Sequence, residues 1–504
     1  MPFLTIGLLI FILLLLLWSF FHDYPNKTTK LPPGPLPLPI IGNLHMLSTL
    51  PHRSLAKLAK KYGPIMHLRL GILPTTIISS PEAAELILKQ HDLIFCSRAP
   101  TLATFYMWYG TKGFGLTPYG DYWRRARRIS TLHVFTTTKV VESQGLRKRE
   151  IEGVIRWLKR AAESREVVDL SKKVGELIEE IMFKMLLGKN NEVEDQNMRG
   201  DLKELMEEVV NVGGTFNLGD FLPFLAPLDL QGLTRKMKNL TKRVDEIFDK
   251  IIEDHLKEDI AQKKDVLSNL LSIMSNPNNE FFLDSFGRDN VKAIMLDLFT
   301  AGIDTSSHTL VWALSALLSH PRVMNLLQEE LDAIVTKNRM VKESDLPNLP
   351  YLDMVVKETF RLYPTVPLLL PRECLEDVVV NGFTIRKNTR IMINYWAIAR
   401  DTKLWSKNSE EFFPERFINS DIHIRGPDFM LIPFGAGRRG CPGMQLGLAT
   451  VKIVLAQMVH CFNWELPDGV VPEEMDMTER FGFTMPRTKK LLAIPSYRLP
   501  ISFP

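Results

Sequence analysis

The sequence predicts a mainly α-helical protein with small β-sheets, organised as a single large domain behind an N-terminal transmembrane helix. From Ser54 onward, most of the chain has the apolar periodicity of helices. Only four short pieces, 65–70, 75–79, 378–385 and 390–394, have β-like character. The chain begins with an apolar run long enough to cross a bilayer.

Residues 3–21 (FLTIGLLIFILLLLLWSFF) contain no charge. As a helix of about 1.5 Å per residue they span about 28 Å, close to the thickness of the hydrocarbon core. The run lacks a basic n-region and an A-x-A-like exit, which disfavours a cleaved signal peptide. Lys27 and Lys30 follow the span, so the positive-inside rule places the remaining chain in the cytosol. We therefore expect a single-pass anchor.

Residues 22–50 are predicted to form a proline-rich hinge, because Leu31–Pro39 (LPPGPLPLP) favours an extended backbone over a helix. A generic linker and a stiff spacer are the two interpretations. Residues 51–504 are then the main domain. Within it, Arg288–Ser319 is predicted to be a helix of 32 residues that ends before Pro321. The loop at 275–280 (SNPNNE) is the only plausible domain boundary, but composition does not change there.

Composition and charge exclude several classes. The chain has 504 residues and a net charge of +4, too balanced for a dedicated nucleic-acid binder. Four cysteines in this length cannot form a disulfide framework and fit a reducing compartment. Residues 51–160 hold 19 Lys or Arg against 7 Asp or Glu, so a net +12 is concentrated there. This region is either a solvated basic face or a docking surface for an acidic partner or an anionic membrane.

The strongest chemical signal lies at 434–443 (FGAGRRGCPG). The glycines around Cys441 let the backbone pass close to a flat or bulky group, and Arg439 can hold an anion. Loop N–H groups and a metal would keep the thiolate deprotonated. No C-x-x-C or Cys/His pair lies nearby, which disfavours zinc and iron–sulfur clusters. We expect Cys96, Cys374 and Cys461 to be inert buried thiols.

This loop resembles the haem-binding loop of the cytochrome P-450 family of haem-thiolate monooxygenases. The family pattern F-x-x-G-x-R-x-C-x-G is filled at every specified position, by Phe434, Gly437, Arg439, Cys441 and Gly443. The resemblance implies the family's fold and a haem b (iron protoporphyrin IX) cofactor. It also implies that Cys441 is the proximal thiolate ligand of the iron and that Arg439 pairs with a haem propionate.

Further motifs stand in the family's order. Glu358-Thr-Phe-Arg361 matches E-x-x-R, with two charges on one helical face, and 414–417 matches P-E-R-F. The resemblance implies that Arg416 joins Glu358 and Arg361 in a buried charge network that holds the cysteine loop. Trp123-Arg-Arg-Ala-Arg127 matches W-x-x-x-R.

The resemblance implies that Trp123 and Arg127 contact a haem propionate and that Arg372 supplies another propionate contact. The neighbouring arginines of the W-x-x-x-R motif are expected at the surface: Arg124, Arg125 and Arg128.

Midway along the long helix lies Ala301-Gly-Ile-Asp-Thr-Ser306. A packing notch followed by a solvated pair is one interpretation. By resemblance, the segment is the family's oxygen-binding groove, in which Gly302 leaves room for dioxygen. Thr305 and Asp304 are then the catalytic pair, with Thr305 bonded to the activated oxygen and Asp304 relaying protons.

The substrate pocket is placed only by analogy with the family. It takes in Phe114, Phe299, Ala301, Val366, Leu369 and Phe483, nearly all apolar, although plain core packing is the alternative for each. An apolar pocket favours a small lipophilic substrate over a sugar or charged peptide. Terpenoids and phenolic or biaryl compounds are the two expected classes. The segment 217–228 is either a membrane-facing entrance or a loop.

The whole chain looks closest to the plant endoplasmic-reticulum enzymes of specialised metabolism. The resemblance implies a location in that membrane and electrons from an NADPH-dependent reductase, since no Rossmann fingerprint is present. Two other functions remain: a same-fold enzyme that rearranges hydroperoxides without O2, and a non-catalytic haem scaffold. Relatives of the first kind usually lack the groove threonine, so Thr305 argues against it.

Overall fold

A computed structural model describes residues 30–188, 193–257, 265–275, 286–467 and 469–500, together with Gly7. Apart from Gly7, the predicted anchor at 3–21 lies outside these residues, as does most of the predicted loop at 275–280. The described chain is mainly helical, as predicted. Its helices are α1 (Pro51–Tyr62), α2 (Pro81–Glu85), α3 (Leu102–Met107), α4 (Asp121–Val134), α5 (Thr137–Glu142), α6 (Gln144–Glu163), α7 (Leu170–Leu187), α8 (Val193–Gly213), α9 (Leu218–Phe221), α10 (Leu233–Leu256), α11 (Val266–Ser275), α12 (Arg288–Ser319), α13 (Pro321–Ile334), α14 (Pro350–Leu362), α15 (Tyr395–Ile398), α16 (Thr402–Trp405) and α17 (Met444–Cys461).

The strands form three small sheets. The largest has the order β1-β2-β7-β4, in which β2 and β7 are parallel and the other neighbours are antiparallel. The second has the order β3-β9-β8, and β5 and β6 form a hairpin. The strand bounds are β1 (Ile65–Leu70), β2 (Leu73–Ile78), β3 (Val168–Asp169), β4 (Arg372–Glu373), β5 (Val378–Val380), β6 (Phe383–Ile385), β7 (Arg390–Ile393), β8 (Phe462–Glu465) and β9 (Leu492–Tyr497).

Helix α12 has the predicted bounds and crosses the core. It is buried on most of its circumference, against α7, α14 and α17, because its apolar residues surround the axis rather than form one stripe. Residues 301–306 interrupt this burial, and Ala301 is exposed in the middle of a core helix. The protein therefore leaves an open window along one turn of its most buried helix.

The proline-rich segment is attached to the largest sheet. The His67 N–H donates to the Pro33 carbonyl at 2.9 Å, and Gly42 bridges both Leu38 and Leu70. The backbone at 33–37 thus runs beside β1 as a strap, and residues 38–42 turn and join the end of β1. Its direction sets how the preceding residues leave the domain.

Within the described part of the chain, α17 is the one helix both long and apolar enough to cross a membrane. About two-thirds of it is buried inside the domain, where it packs against α12 and α13. We therefore assign α17 to the core.

Candidate active site

The cysteine loop, residues 434–443, runs from the end of the segment after α16 to the start of α17. The Cys441 N–H donates to the Phe434 carbonyl at 2.8 Å and closes the loop. Gly437 has a φ of 67°, and a Cβ there would lie 2.3 Å from both a carboxylate oxygen of Asp92 and the Leu88 carbonyl oxygen. Only glycine fits that position, so the loop can sit directly on the helical turn at 86–90.

Cys441 differs from the other three cysteines, which are fully buried, because its side chain is partly exposed. Burial raises the pKa of the Cys441 thiol, while the Gly443 N–H and the charges of Arg127 and Arg425 lower it. The loop therefore supplies donors and positive charge, but a metal is needed to hold the sulfur as a thiolate. Cys96, Cys374 and Cys461 are buried, and burial raises the pKa of the Cys374 and Cys461 thiols, each to about 12.

Arginine side chains gather around this loop. The Arg127 guanidinium donates to the Gly440 carbonyl at 2.5 Å. Arg439 donates to the carbonyls of Cys96 and Thr117, at 2.5 and 2.6 Å, and its guanidinium lies 4.1 Å from the ring centroid of Trp123. These acceptors carry no charge, and burial lowers the pKa of Arg439 to about 9. The predicted partners Trp123, Arg127 and Arg439 thus come together.

Two further arginines complete the cluster. Arg372 donates to the Asp92 carboxylate at 3.1 Å and to the Ala436 carbonyl at 2.6 Å. Arg98 was not found from the sequence; it donates to the carbonyls of Leu370 and Pro371, and its buried Nε has no partner among the described residues. A basic residue inside the apolar stretch 93–98 (LIFCSR) was the signal that could have found it.

We call Arg98, Arg127, Arg372 and Arg439 the arginine cluster. Among the described residues, Arg372 is the member of the cluster that pairs with a carboxylate, that of Asp92, so the cluster retains excess positive charge. Buried charge of this kind calls for an anionic partner. Together with the partly exposed Cys441 sulfur, the cluster fits a haem, which has an iron for the thiolate and two propionates for the guanidiniums.

The window in α12 carries the predicted oxygen-groove residues, but it divides them between two faces. The Thr305 hydroxyl donates to the Ala301 carbonyl at 2.6 Å, so these two lie one turn apart on the open face. Asp304 accepts a hydrogen bond from the Thr484 hydroxyl at 3.4 Å, and burial raises its pKa to about 6. Neighbours on a helix project about 100° apart, so the acid and the threonine reach different surroundings.

Gly302 has a packing role in this structure. A Cβ on Gly302 would lie 2.4 Å from the Met182 Cε on α7. The missing side chain therefore makes room for close contact between α7 and α12, which is the packing-notch interpretation of the motif. The opening on the groove side comes instead from Ala301, whose side chain is small and exposed.

The charge network around Glu358 assembles as the motifs predicted. Arg361 forms two parallel hydrogen bonds to the Glu358 carboxylate, at 2.7 and 2.8 Å, and the Arg416 Nε donates to it at 2.9 Å. Glu358 and Arg361 are fully buried. The remaining guanidinium donors bind carbonyls of the segment 399–411, so the network fixes that segment, which leads into the cysteine loop.

The predicted pocket residues separate into two groups. The Leu369 Cδ1 lies 3.9 Å from where a Gly435 Cβ would be, and the Phe483 ring stacks on Trp108 with centroids 6.0 Å apart. Phe299 lies elsewhere: it is fully buried and packs against Phe183, at 5.0 Å between ring centroids. Phe299 precedes Ala301 by two residues, which places it about 200° around the helix from the open face and turns it into the core.

The other predicted side chains remain near the loop. Val366 is half-buried in the turn with Leu369. Phe114 is 6% exposed and contacts the edge of Phe135. Phe434 packs against Phe360, with ring centroids 5.1 Å apart.

Asp297 is a second residue that sequence reasoning missed. It is buried on α12, and its carboxylate accepts the backbone N–H groups of Phe114 and Gly115 at 2.7 and 2.9 Å. Burial raises the pKa of Asp297 to about 6. The carboxylate fixes the loop whose carbonyls also receive Trp123 and Arg439, so it orders the arginine cluster from α12.

Comparisons with known proteins agree with this geometry. The family model described as cytochrome P-450 matches residues 32–494. Cytochrome P-450 CYP736A12 of Panax ginseng is 50% identical over 474 residues, with 93% of this chain and 94% of the relative covered. Desmethyl-deoxy-podophyllotoxin synthase of Sinopodophyllum hexandrum is 40% identical, with 94% and 92% covered. Flavonoid 3'-monooxygenase of Arabidopsis thaliana is also 40% identical, with 99% and 97% covered.

Proposed function

Since the chain belongs to the cytochrome P-450 family and is a haem-thiolate monooxygenase, we propose that it oxygenates a small lipophilic plant specialised metabolite of terpenoid or phenolic/biaryl type. One oxygen atom comes from O2, and the electrons come from an NADPH-dependent reductase. The observation that carries the proposal is the arginine cluster around a partly exposed Cys441.

The residues that would hold the haem follow from this geometry. Cys441 is the thiolate ligand of the iron, and the arginine cluster receives the propionates through charge-assisted hydrogen bonds. Haem, when bound, supplies the activation of O2 and the insertion of oxygen, and a thiolate ligand favours cleavage of the O–O bond. The chain supplies orientation, protons and exclusion of water.

The open face of α12 divides these tasks. The Thr305 hydroxyl, held by the Ala301 carbonyl, is placed to orient oxygen on the groove side. Burial raises the pKa of Asp304 to about 6, so at neutral pH the carboxylate is the major form and a minor fraction carries a proton on Oδ1 or Oδ2. A positioned acid whose pKa lies near the working pH is an efficient proton donor.

The pocket side chains support a lipophilic substrate. Leu369, Val366, Phe114 and Phe483 offer apolar and aromatic surface near the window, with Trp108 stacked behind Phe483. Such a lining favours burial of an apolar molecule and excludes water. One relative is named for the oxidation of a flavonoid, which supports the phenolic class.

We also propose that the enzyme is anchored in the endoplasmic reticulum membrane by residues 3–21, with the domain in the cytosol. Exposed apolar side chains support contact with a bilayer, since Leu36 is 91% exposed and Leu230 is 65% exposed. The strap, which contains Leu36, and the region before Leu230 are held near each other. Ile72, beside the strap, donates its N–H to the Phe221 carbonyl at 3.0 Å. An anchored domain would contact the membrane through an apolar surface near the hinge.

Electrons must come from a separate reductase, and the basic region 51–160 is the proposed docking surface. Arg124 and Arg128 are exposed on the outer face of α4, while Arg127 on the same helix faces the cysteine loop. This helix therefore connects the basic surface with the site. An acidic patch on the partner would complement it.

The test is expression of the full chain in microsomes with a plant reductase. We expect the carbon-monoxide difference spectrum of a thiolate-ligated haem, then spectral binding and NADPH-dependent oxygenation of terpenoid or phenolic compounds. Cys441→Ser should abolish both the spectrum and turnover, because a serine hydroxyl cannot supply the thiolate. Product formed without reductase would support the hydroperoxide-rearranging alternative, and binding without any product would support the scaffold. Binding of charged hydrophilic compounds alone would overturn the substrate class.

A further inference from the structure

A second cavity lies beside α12, away from the window residues Ala301 and Thr305. We call it the rear cleft; it has a volume of about 600 Å³. Asp304, Ser307 and His308 line it from α12, and α7, α8 and the segment 480–490 form the other walls. Asp304 therefore faces a space that the groove-side residues do not line.

Three side chains beside the rear cleft form a continuous chain of hydrogen bonds. The Thr484 hydroxyl lies 3.4 Å from the Asp304 Oδ2 and 3.1 Å from the His308 Nδ1. Asp304 and His308 are one helical turn apart, so both reach the same hydroxyl from α12. Thr484 is 4% exposed, which leaves the hydroxyl few other partners.

The one hydroxyl hydrogen of Thr484 couples the protonation state of Asp304 to the tautomer of His308. When Asp304 is ionised, the hydroxyl donates to the carboxylate and accepts a hydrogen bond from Nδ1–H. When Asp304 is protonated, its O–H donates to Thr484, and the Thr484 hydrogen then points to an unprotonated Nδ1. The charge of Asp304 and the tautomer of His308 thus change together.

Burial and nearby charges shift the pKa values of both groups toward their neutral forms. Burial raises the pKa of Asp304 to about 6, and Glu207 acts in the same direction. Burial lowers the pKa of His308 to about 4, and Arg480 acts in the same direction. His308 is therefore neutral in the cytosol and can pass a proton without storing one. The other charges at the mouth include paired side chains: Lys203–Glu179, Lys490–Asp169 and Lys489–Asp476.

We propose that Asp304 is reprotonated from the rear cleft through Thr484 and His308, which makes these two the positioning residues for proton supply. The inference rests on the proposed monooxygenase function. After Asp304 gives up its proton, the Thr484 hydrogen moves to Oδ2, the Nδ1 hydrogen moves to the Thr484 oxygen, and a proton from cleft water joins Nε2. No electron moves, and His308 ends as the Nε2–H tautomer. The Nδ1–H tautomer returns when the imidazole ring turns toward the cleft, Nε2 releases its proton to water and Nδ1 takes one up.

The first readout needs no turnover. Infrared spectra of the resting holoenzyme, recorded against pH, should contain a carboxyl band that disappears in Asp304→Asn. In Thr484→Val the midpoint of that band should rise, because the hydrogen bond that favours the carboxylate is lost. Thr484→Ser keeps the hydroxyl and should restore the original midpoint.

The second readout is the coupling of NADPH consumption to product. In Thr484→Val and His308→Gln we expect the product formed per NADPH to fall about fivefold and peroxide to rise, since a positioned proton donor is resupplied more slowly. Ser307→Ala is the matched control, because Ser307 lines the same cleft but donates only to backbone carbonyls of its own helix. It should retain wild-type coupling.

Unchanged band midpoints and unchanged coupling in both Thr484→Val and His308→Gln would overturn the inference. The infrared result also separates it from the proposed function. If the wild-type enzyme oxygenated none of the lipophilic compounds, the proposed function would fail, whereas the band midpoint would still decide whether Thr484 and His308 set the proton state of Asp304.

Discussion

Two groups of buried or half-buried arginines in the described part of the domain differ in what neutralises them. In the Glu358 network, one carboxylate bridges Arg361 and Arg416, and backbone carbonyls accept the remaining donors. In the arginine cluster, Arg372 pairs with the Asp92 carboxylate, the other members donate to backbone carbonyls, and a buried Nε of Arg98 has no partner among the described residues. Arginine side chains thus stabilise the fold in the first group and are placed to bind an anionic ligand in the second.

This difference shows how to distinguish charges that stabilise the fold from charges that bind a ligand. A network whose hydrogen-bond donors all have partners is not stabilised by a further anion. Removal of one member leaves a buried charge without a partner in a medium of low dielectric constant. A cluster with excess positive charge is destabilising by itself and becomes favourable when an anion arrives. Burial lowers the pKa of Arg439 to about 9, which is the electrostatic sign of that unmet charge.

The largest expected effect is in the Glu358 network. Glu358→Ala removes the carboxylate from two buried guanidiniums, which costs about 3–5 kcal/mol. That is a large share of a domain stability of about 5–15 kcal/mol. We expect misfolded, haem-free protein, measured by the yield of soluble protein and the carbon-monoxide spectrum.

Glu358→Gln is the control for this change, since it keeps the shape and the acceptor oxygen but removes the charge. It should give an intermediate yield of folded protein. A well-folded holoprotein from Glu358→Ala would contradict the assignment of this network to the fold.

The next effect is in the arginine cluster. Arg439→Met should still fold, but we expect it to lose haem faster, because charge-assisted hydrogen bonds to a propionate disappear. A loss of about 1.5–3 kcal/mol corresponds to a rate increase of about one to two powers of ten. The measurement is the rate of haem transfer from the holoenzyme to apomyoglobin.

Two variants sharpen this test. Arg439→Lys keeps the charge without the planar fork and should be intermediate. Arg416→Met changes a guanidinium of the other network and should reduce the yield of folded protein. If Arg439→Met kept its haem as long as the wild type, the distinction between the two groups of arginines would be wrong.

Local patterns explain what the sequence could predict. Helix α12 has the predicted bounds because its apolar run lies between Gly287, whose N–H donates to the Asn290 side chain, and Pro321, which leaves few alternatives. Glu358 and Arg361 were found together because a helix fixes their spacing. Strand β2 starts earlier than predicted, at Leu73, because Pro74 is accommodated inside the strand opposite Arg69.

Contacts between distant segments explain what the sequence could not predict. Arg98 meets carbonyls at 370–371, and Asp297 meets the N–H groups at 114–115, so neither pairing leaves a local pattern. Asp304 and Thr305 are adjacent in the chain, and the motif suggested one shared surrounding. Helical geometry points their side chains in different directions, and the hydrogen bond to Thr484 shows the direction of the Asp304 side chain.

The smallest expected effect concerns the arginines at the surface of α4, which belong to the proposed docking surface for the reductase. Arg124→Glu, Arg125→Glu and Arg128→Glu together should leave folding and haem retention unchanged, since the site-facing Arg127 is kept. Reduction by the reductase should slow about tenfold at low salt, and the difference should close at high salt, because exposed charges steer association and are screened. Lys242→Glu reverses a charge that is 80% exposed but outside the basic region, and it should have no effect. Reduction rates that ignored both salt and the triple reversal would remove α4 from the docking surface, and the excess charge there would be only a solvated face.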